Sequence, residues 1–290
     1  MNTFVSTRPG SKDISWCPGC GNFAIRNMLM AVLADLGLDP ANVALISGIG
    51  QAAKMPHYIQ ANGFHTLHGR AIPIATGVKI ANPALTVIAE GGDGDMYAEG
   101  GNHFLHGLRR NADITLLVHN NQVYGLTKGQ ASPTTMIGMK TPAQPEGVFE
   151  EPLNPLALAI ASNASFVARG YSGQADKTKA ILRQAILHRG FSFIDIFQPC
   201  VSFNKVNTYD WYEENTYWMK DHDPTQRGAA LQKALESFPF PLGIFYRYQK
   251  KTFEENIVAY QNDQTPLSQR RVKIEALSKY VNFLSYEKTA

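Results

Sequence analysis

Residues 85–95 read LTVIAEGGDGD, an apolar run of strand length that ends in a turn rich in glycine and aspartate. The run does not alternate apolar and polar side chains, which indicates a strand covered on both faces. Similar apolar runs recur along the chain at 43–46, 114–118, 166–168 and 191–197. Helical patterns lie between them, over 74–81, 98–108, 156–162 and 177–187. This alternation predicts an α/β fold with a doubly wound, mostly parallel sheet.

Another helix is predicted near the N-terminus, where residues 22–36 place apolar side chains at spacings of three and four and Gly37 ends the pattern. The motif Cys17-Pro18-Gly19-Cys20 lies directly before it, and Cys200 brings the number of cysteines to three. The first residues contain no apolar signal segment. Two cysteines at this spacing therefore indicate metal or redox chemistry before disulfide formation.

Composition and charge exclude several classes of protein. Hydrophobic residues make up 44% of the 290 residues and charged residues 18%, a balance typical of globular chains and unlike that of disordered ones. The net charge is +3 and contains no basic run, so we expect no nucleic-acid partner. The apolar runs are far shorter than the roughly 20 residues that cross a bilayer. We therefore expect no membrane association and a cytoplasmic location.

The chain changes character after about residue 200. Aromatic residues crowd among polar ones at Tyr209, Trp211, Tyr212, Tyr217 and Trp218. This density indicates a packed interface, formed either within the chain or with a partner. Beyond it, helices are predicted over 225–237 and 267–284. We expect a main domain over 1–223 and a C-terminal extension over 224–290 that contacts a partner.

Polar side chains follow two of the predicted strands. Asp93 comes shortly after the strand at 85–89, and Asn121 follows the strand at 114–118, 28 residues further on. Carboxyl ends of parallel strands meet at one edge of a sheet, so both side chains are expected there. Mg²⁺ bound to a diphosphate prefers hard oxygen ligands such as carboxylate, amide and backbone carbonyl oxygens. Glycines beside Asp93 let backbone N–H groups approach the phosphates, so the sequence predicts a magnesium-diphosphate site.

The interval from Gly-Asp-Gly at 92–94 to Asn-Asn at 120–121 resembles that of thiamine-diphosphate-dependent enzymes. The resemblance is closer to the β subunits of 2-oxoacid:ferredoxin oxidoreductases, which convert pyruvate, 2-oxoglutarate or branched-chain 2-oxo acids and coenzyme A into acyl-CoA. The motifs that carry it follow the family's order between about residues 12 and 210. They are WCPGCG (16–21), SGIG (47–50), HTLHGR (65–70), GGDGD (91–95), NNQVYGLTKGQ (120–130) and PCVSFN (199–204).

The resemblance implies a role for each matching position. Mg²⁺ would be held by Asp93, Asn121 and the carbonyl of Val123. The diphosphate would be contacted by Gly94, Asp95, Gly125 and Leu126. The thiamine site would be lined by Ile49, Gly50, Gln51, Ala52 and His68. The catalytic residues would be His68, Lys54 and Lys128, of which the two lysines would meet a substrate carboxylate or coenzyme A.

The family also uses four cysteines to hold a [4Fe–4S] cluster, which takes up electrons one at a time. Cys17, Cys20 and Cys200 match three of them, but Gln51 stands where the family has the fourth. Glutamine is a poor ligand for a soft metal site. A cluster with another fourth ligand, one with an open iron, a three-iron form and a site of changed role all remain open. A zinc half-site or a thioredoxin-like pair would leave the position of Cys200 unexplained.

The resemblance further implies that the chain is inactive alone. An α-type subunit would supply the pyrimidine-binding domain and its glutamate, within an (αβ)₂ or larger hetero-oligomer, and ferredoxin would accept the electrons. Residues 1–223 would then be the thiamine-diphosphate-binding domain with the iron–sulfur site. One alternative is a subunit of a non-oxidative thiamine-diphosphate-dependent decarboxylase or carboligase. The other is a non-catalytic metal-binding subunit for electron transfer.

Overall fold

The computed structural model describes residues 3–5, 13–271, 274–275 and 277–278. Its strands are β1 (Val43–Ser47), β2 (Asn62–His65), β3 (Thr86–Gly92), β4 (Thr115–Asn120), β5 (Val123–Tyr124), β6 (Gln130–Ala131), β7 (Phe166–Tyr171), β8 (Ser192–Phe197), β9 (Thr216–Trp218) and β10 (Phe240–Arg247). Its α-helices are α1 (Gly21–Asp35), α2 (Met55–Tyr58), α3 (Ala71–Ala81), α4 (Gly101–Arg110), α5 (Pro155–Ala161), α6 (Ala175–Leu187), α7 (Tyr209–Asn215), α8 (Arg227–Ala234) and α9 (Val258–Gln261).

Eight strands form one sheet in the described part of the chain, in the order β2-β1-β3-β4-β8-β7-β10-β9. Neighbouring strands run parallel, except that β10 runs antiparallel to β7. The short strands β5 and β6 pair separately as an antiparallel hairpin. Because β3 and β4 are neighbours, the turns that follow them meet at one edge of the sheet.

Helices cover both faces of the sheet, and each face has its own core. On one face α3, α4 and α5 enclose a cluster that includes Phe104 and Phe193. On the other face α1 and α6 pack against each other and over Leu117 and Ile194. Strands β1, β4, β7 and β8 are buried along their whole length, which explains their continuous apolarity. This arrangement confirms the predicted doubly wound, mostly parallel α/β fold.

The sequence did not predict strands β2, β9 and β10. All four residues of β2 are exposed, so this edge strand has no apolar pattern. Strand β10 contains Pro241 and Gly243, two residue types that disfavour strands. It lies in the region expected to form the extension and pairs with β7 through Ile244 and Ala168. The division of the chain after residue 223 stays a prediction.

The helices predicted up to residue 237 are present, but their ends differ. The helix expected over 98–108 is divided, because a π-helical segment at Gly94–Glu99 precedes α4. Its wider turn is shown by the hydrogen bond from Gly100 N–H to the Asp95 carbonyl, 2.9 Å long. Of the helix predicted over 267–284, Leu267–Gln269 forms a 3₁₀ turn, and most of the remainder lies outside the described residues. No helix in the described part of the chain has the length and apolarity that a membrane span requires.

The aromatic segment at 209–218 packs largely within the chain. Helix α7 buries Tyr212 completely, and its ring stacks on Phe197 with centroids 5.0 Å apart. Trp211 contacts Tyr212 edge-on, and the Tyr171 ring lies beside it with centroids 5.5 Å apart. Internal packing therefore accounts for the most buried of these rings, and a partner contact through the others stays a prediction.

Candidate functional site

A cavity of about 100 Å³ opens where β3 and β4 end. It brings together residues from four separate motifs of the sequence. Its lining contains all the residues assigned to the diphosphate, the thiamine and the magnesium ion, namely Ile49, Gly50, Gln51, Ala52, His68, Asp93, Gly94, Asp95, Asn121, Val123, Gly125 and Leu126. We call it the strand-end cavity. The fold therefore gathers residues that are up to 77 positions apart at one site.

Asp93 is the most enclosed acidic group of the strand-end cavity, with 1% of its surface exposed. Its Oδ2 accepts hydrogen bonds from Ser132 Oγ at 2.5 Å and from Thr134 Oγ1 at 2.8 Å. Burial raises the pKa of Asp93 to about 6, although these two hydrogen bonds oppose the shift. The buried carboxylate is therefore costly to ionise unless a cation lies beside it.

Asp95 directs its side chain towards the start of the next loop. Its Oδ1 accepts a hydrogen bond of 2.7 Å from Gly69 N–H, and burial raises its pKa to about 6. A Cβ on Gly48 would lie 1.9 Å from Asp95 Oδ2, so only glycine leaves room for this carboxylate. Because Oδ1 is bonded to Gly69 N–H and Oδ2 lies against Gly48, the backbone of Asp95 is the part that remains for a diphosphate.

His68 lies at the rim of the strand-end cavity between two carboxylates. Its Nδ1 is 3.4 Å from Asp95 Oδ1 and 3.1 Å from Glu99 Oε2. Its side chain is one-third exposed. Glu99 also accepts a hydrogen bond from Tyr124 Oη at 3.1 Å, so the rim residues form one connected group.

The loop after β4 is held from both sides. Asn121 Oδ1 accepts a hydrogen bond of 3.0 Å from Val123 N–H, and the Asn121 carbonyl accepts one of 3.0 Å from Asn204 Nδ2. Gln122 adopts φ of +60°, which turns the chain back between the two residues that line the cavity. Gly94 faces this loop so closely that a Cβ there would lie 2.3 Å from the ring of Tyr124.

These residues fit Mg²⁺ and a diphosphate. Asp93 and Asn121 offer a carboxylate and an amide oxygen, and the Val123 carbonyl lines the same cavity. Among the described residues Asp95 Oδ2 has no hydrogen-bond partner although it is buried. Burial raises the pKa of both aspartates, so their ionised forms are destabilised in the chain by itself. A bound cation would supply the missing positive charge.

The three cysteines line a second, smaller cavity of about 40 Å³, which we call the cysteine cavity. Burial raises the pKa of Cys20 to about 11, and Cys200 and Cys17 add to the shift, so the three sulfurs lie close enough to interact. Ser202 Oγ donates a 2.9 Å hydrogen bond to Cys17 Sγ. In the part of the chain that the structure describes, no group of three or more His, Cys, Asp or Glu side chains is arranged as a metal site.

Gln51 lines both the strand-end cavity and the cysteine cavity. Its carbonyl accepts a 2.7 Å hydrogen bond from Trp16 Nε1. Its side-chain oxygen is buried and has no hydrogen-bond partner among the described residues. Gln51, which the resemblance places at the position of the fourth cluster ligand, therefore lies beside the three cysteines. Its side chain offers a hard oxygen, whereas the cysteines offer soft sulfur.

Lys54 and Lys128 flank the strand-end cavity but do not line it. Lys54 ends the 3₁₀ turn Ala52–Lys54, and Lys128 is exposed with φ of +79° next to Thr127, which does line the cavity. Ser132 and Thr134, whose hydroxyls contact Asp93, were not predicted from the sequence. The only signal for them was their position in a Ser-Pro-Thr-Thr run shortly after the Asn121 loop.

The comparisons with known proteins agree with this site. The family described as "Thiamine pyrophosphate enzyme, C-terminal TPP binding domain" matches residues 46–196, which include the whole strand-end cavity. A second family, which describes the C-terminal part of the pyruvate ferredoxin oxidoreductase β chain, matches residues 200–262. The fold and the site therefore define a thiamine-diphosphate-binding domain.

Comparison with individual proteins shows which thiamine-diphosphate-dependent enzymes the chain is similar to. The chain is 46% identical to 2-oxoacid:ferredoxin oxidoreductase 1, subunit beta, of Aeropyrum pernix over 272 residues, which cover 88% of this chain and 86% of that protein. It is 45% identical to the corresponding protein of Saccharolobus solfataricus over 259 residues, covering 83% and 85%. A structure of 2-oxoglutarate:ferredoxin oxidoreductase from Magnetococcus marinus superposes with a TM-score of 0.89 at 35% identity, covering 98% of this chain and 95% of that one.

The chain belongs to the family of 2-oxoacid:ferredoxin oxidoreductase β subunits. It is an oxidoreductase subunit, as the resemblance of its motifs predicted.

Proposed function

We propose that the strand-end cavity binds thiamine diphosphate with Mg²⁺. We also propose that the chain, together with an α-type subunit, converts a 2-oxo acid and coenzyme A into acyl-CoA and CO₂, or runs the reverse reaction. In the forward direction two oxidised ferredoxins accept the electron pair, one electron each. The observation that supports this best is the gathering of all twelve predicted binding residues at one cavity. The Magnetococcus marinus structure, which has 2-oxoglutarate, coenzyme A and succinyl-CoA bound, favours this substrate class.

In this proposal the chain's own residues hold and orient the cofactor. Asp93, Asn121 and the carbonyl of Val123 coordinate Mg²⁺. Backbone groups of Gly94, Asp95, Gly125 and Leu126 contact the diphosphate. Thiamine diphosphate, when bound, supplies the nucleophilic carbon and the electron sink that decarboxylation needs.

Other lining residues would contact the thiamine. Ile49, Gly50, Gln51 and Ala52 would line the thiamine side of the cavity, and His68 would stand at its rim. Lys54 and Lys128 flank the cavity, where their cationic side chains can attract the carboxylate of a 2-oxo acid or the phosphates of coenzyme A.

The surface around the strand-end cavity supports the need for an α-type partner. Leu67 is 77% exposed, Leu126 43% and Ile49 39%, and all three lie in or beside the motifs that line the cavity. Exposed apolar side chains concentrated around a cavity are typical of a surface that a partner covers. We infer that the α-type partner covers the cavity here and completes the site, within an (αβ)₂ or larger assembly.

We infer that Cys17, Cys20 and Cys200 hold an iron–sulfur cluster, which would pass the electrons on to ferredoxin. The cysteine cavity adjoins the strand-end cavity through Gln51, so the cluster would lie beside the cofactor. Three thiolates account for three iron ligands. A [4Fe–4S] cluster with a non-cysteine ligand or an open iron, or a three-iron cluster, would satisfy this set.

The test is to produce the chain together with its α-type subunit under anaerobic conditions and to analyse the complex. We expect one thiamine diphosphate per αβ unit, with iron and acid-labile sulfide assignable to this chain. We also expect reduction of ferredoxin that requires both a 2-oxo acid and coenzyme A. Asp93→Ala, compared with the wild type for folding by circular dichroism, should lose the cofactor and keep the fold.

Other results would contradict parts of the proposal. Thiamine diphosphate without iron would contradict the iron–sulfur cluster inferred for Cys17, Cys20 and Cys200. Iron without thiamine diphosphate would contradict the role proposed for the strand-end cavity. Normal cofactor content in the Asp93→Ala complex would contradict the role of that residue.

A further inference from the structure

Two hydroxyl groups converge on one oxygen of Asp93. Ser132 Oγ lies 2.5 Å from Asp93 Oδ2, and Thr134 Oγ1 lies 2.8 Å from the same atom. Both hydroxyl residues are only 7% exposed, so water does not compete freely for these bonds. Among the described residues no side-chain hydroxyl contacts Oδ1. The two oxygens of the carboxylate are therefore in different environments, and Oδ1 is the one left for a cation.

Thr134 also connects Asp93 to the strand that carries the second metal ligand. Its Oγ1 lies 2.9 Å from Asn120 Oδ1, and Asn120 is the last residue of β4 and the neighbour of Asn121. A threonine hydroxyl has one proton and serves only one of these two acceptors at a time. Ser132 supplies the carboxylate with a second donor, so Asp93 Oδ2 keeps a hydrogen bond whichever acceptor the Thr134 proton serves.

The far end of this connection is fixed in the interior of the sheet. Asn120 Nδ2 donates to Asp195 Oδ1 at 3.0 Å, and Tyr97 Oη donates to the same oxygen at 2.8 Å. Asp195 is fully buried. Hydrogen bonds in the core therefore fix the orientation of Asn120. Thr134 contacts both Asn120 and Asp93, so it couples the orientation of Asp93 to that of Asn120.

We propose that Ser132 and Thr134 are positioning residues of the magnesium site, which hold Asp93 by Oδ2 and set its angle relative to Asn121. This inference rests on the proposed binding of Mg²⁺ and thiamine diphosphate. It also gives the paired asparagines different tasks: Asn121 faces the metal, and Asn120 fixes the hydroxyl that orients the other ligand. Losing such an outer partner of a metal ligand typically weakens metal binding by about 10–100-fold.

The experiment measures Mg²⁺ affinity rather than turnover. The complex with the α-type subunit is stripped of metal and saturated with thiamine diphosphate, and Mg²⁺ is titrated calorimetrically. Thr134→Val removes the hydroxyl at nearly constant shape, Thr134→Ser retains it, and Ser132→Ala removes the second donor. Thr178→Val is the matched control, because Thr178 is fully buried and its hydroxyl is hydrogen-bonded to the backbone of Tyr171. Tyr171 belongs to β7, which contributes no residue to the strand-end cavity.

We expect Thr134→Val and Ser132→Ala each to raise the dissociation constant of Mg²⁺ at least tenfold. Thr134→Ser should stay within about twofold of the wild type, and Thr178→Val should lower the melting temperature of the metal-free complex without changing Mg²⁺ affinity. Wild-type Mg²⁺ affinity in both folded hydroxyl variants would overturn the positioning role. So would an equal loss in Thr178→Val. A wild-type complex that binds neither Mg²⁺ nor thiamine diphosphate would instead overturn the proposed function itself. If Thr134→Val does not fold, Ser132→Ala decides the matter, and wild-type Mg²⁺ affinity in that variant would overturn the positioning role.

Discussion

Arg169 Nε donates a 3.0 Å hydrogen bond to Asp195 Oδ2 inside the sheet, with side chains that are 6% and 0% exposed. The guanidinium also lies over the ring of Phe197, 4.5 Å from its centroid. Because Asp195 anchors Asn120 as well, this ion pair is the buried end of the connection that leads to Asp93. The same ion pair therefore contributes to the stability of the sheet and to the geometry of the strand-end cavity.

Removing one partner of this pair leaves the other charge buried without compensation. We expect Arg169→Met to lower the free energy of unfolding by about 3–5 kcal/mol. Arg189→Met is the control, since Arg189 pairs with Glu255 at 2.8 Å on the surface and its side chain is 68% exposed. Arg189→Met should lower the free energy of unfolding by less than about 1 kcal/mol. Urea denaturation of both variants measures the difference, and equal losses would contradict it.

Gly94 must remain glycine because Tyr124 approaches it closely. In Gly94→Ala the new Cβ would lie 2.3 Å from the Tyr124 ring, so this ring, which follows Asn121 in the same loop, must move. We expect thiamine diphosphate affinity to fall on the order of a hundredfold, since small displacements of positioning groups have effects of this size. Gly101→Ala is the control, because no atom lies within 4 Å of its added Cβ. Equilibrium binding to the αβ complex tests this prediction, and unchanged affinity in Gly94→Ala would contradict it.

The raised pKa of Asp93 makes the stability of the cofactor-free protein depend on pH. Its pKa is about 6 in the folded chain and about 3.9 in an unfolded one. The folded chain therefore binds the proton more tightly, and the free energy of unfolding falls as pH rises from about 4 to 6. Above pH 6 the ionised carboxylate destabilises the fold by about 3 kcal/mol.

Asp93→Asn removes this penalty. We expect the cofactor-free variant to be more stable than the wild type at pH 7 and nearly equal to it at pH 4. Asp176→Asn is the control, because the side chain of Asp176 is 94% exposed. Unfolding curves of both proteins at pH 4 and pH 7 give the comparison. An equal gain in the free energy of unfolding at both pH values would show that ionisation of Asp93 is not the cause.

Gln51→Cys would place a fourth sulfur at the cysteine cavity. We expect the variant to assemble a complete four-thiolate cluster, with higher iron content or a changed low-temperature EPR spectrum. Gln60→Cys is the control, since Gln60 lines neither the strand-end cavity nor the cysteine cavity. Iron content and a spectrum that both match the wild type in Gln51→Cys would place Gln51 outside the cluster's ligand shell.

Much of the fold could be predicted from local sequence patterns. The continuous apolar runs at β3, β4 and β8 predicted buried parallel strands, and burial along these strands agrees with them. Strand β2 was missed because an exposed edge leaves no apolar pattern. Strand β10 was missed because its proline and glycine outweigh its apolar residues locally, whereas pairing with β7 decides its conformation.

For the site, the sequence by itself determined which residue types stand at the strand ends: Asp93 after β3 and Asn121 after β4, with glycines beside them. Only the tertiary structure decided how they are oriented. Ser132 and Thr134 lie 39 and 41 positions from Asp93, and Asp195 is a further 61 positions beyond Thr134. No local pattern encodes such contacts, because hydrogen bonds between distant segments depend on how strands and loops are brought together in the folded sheet.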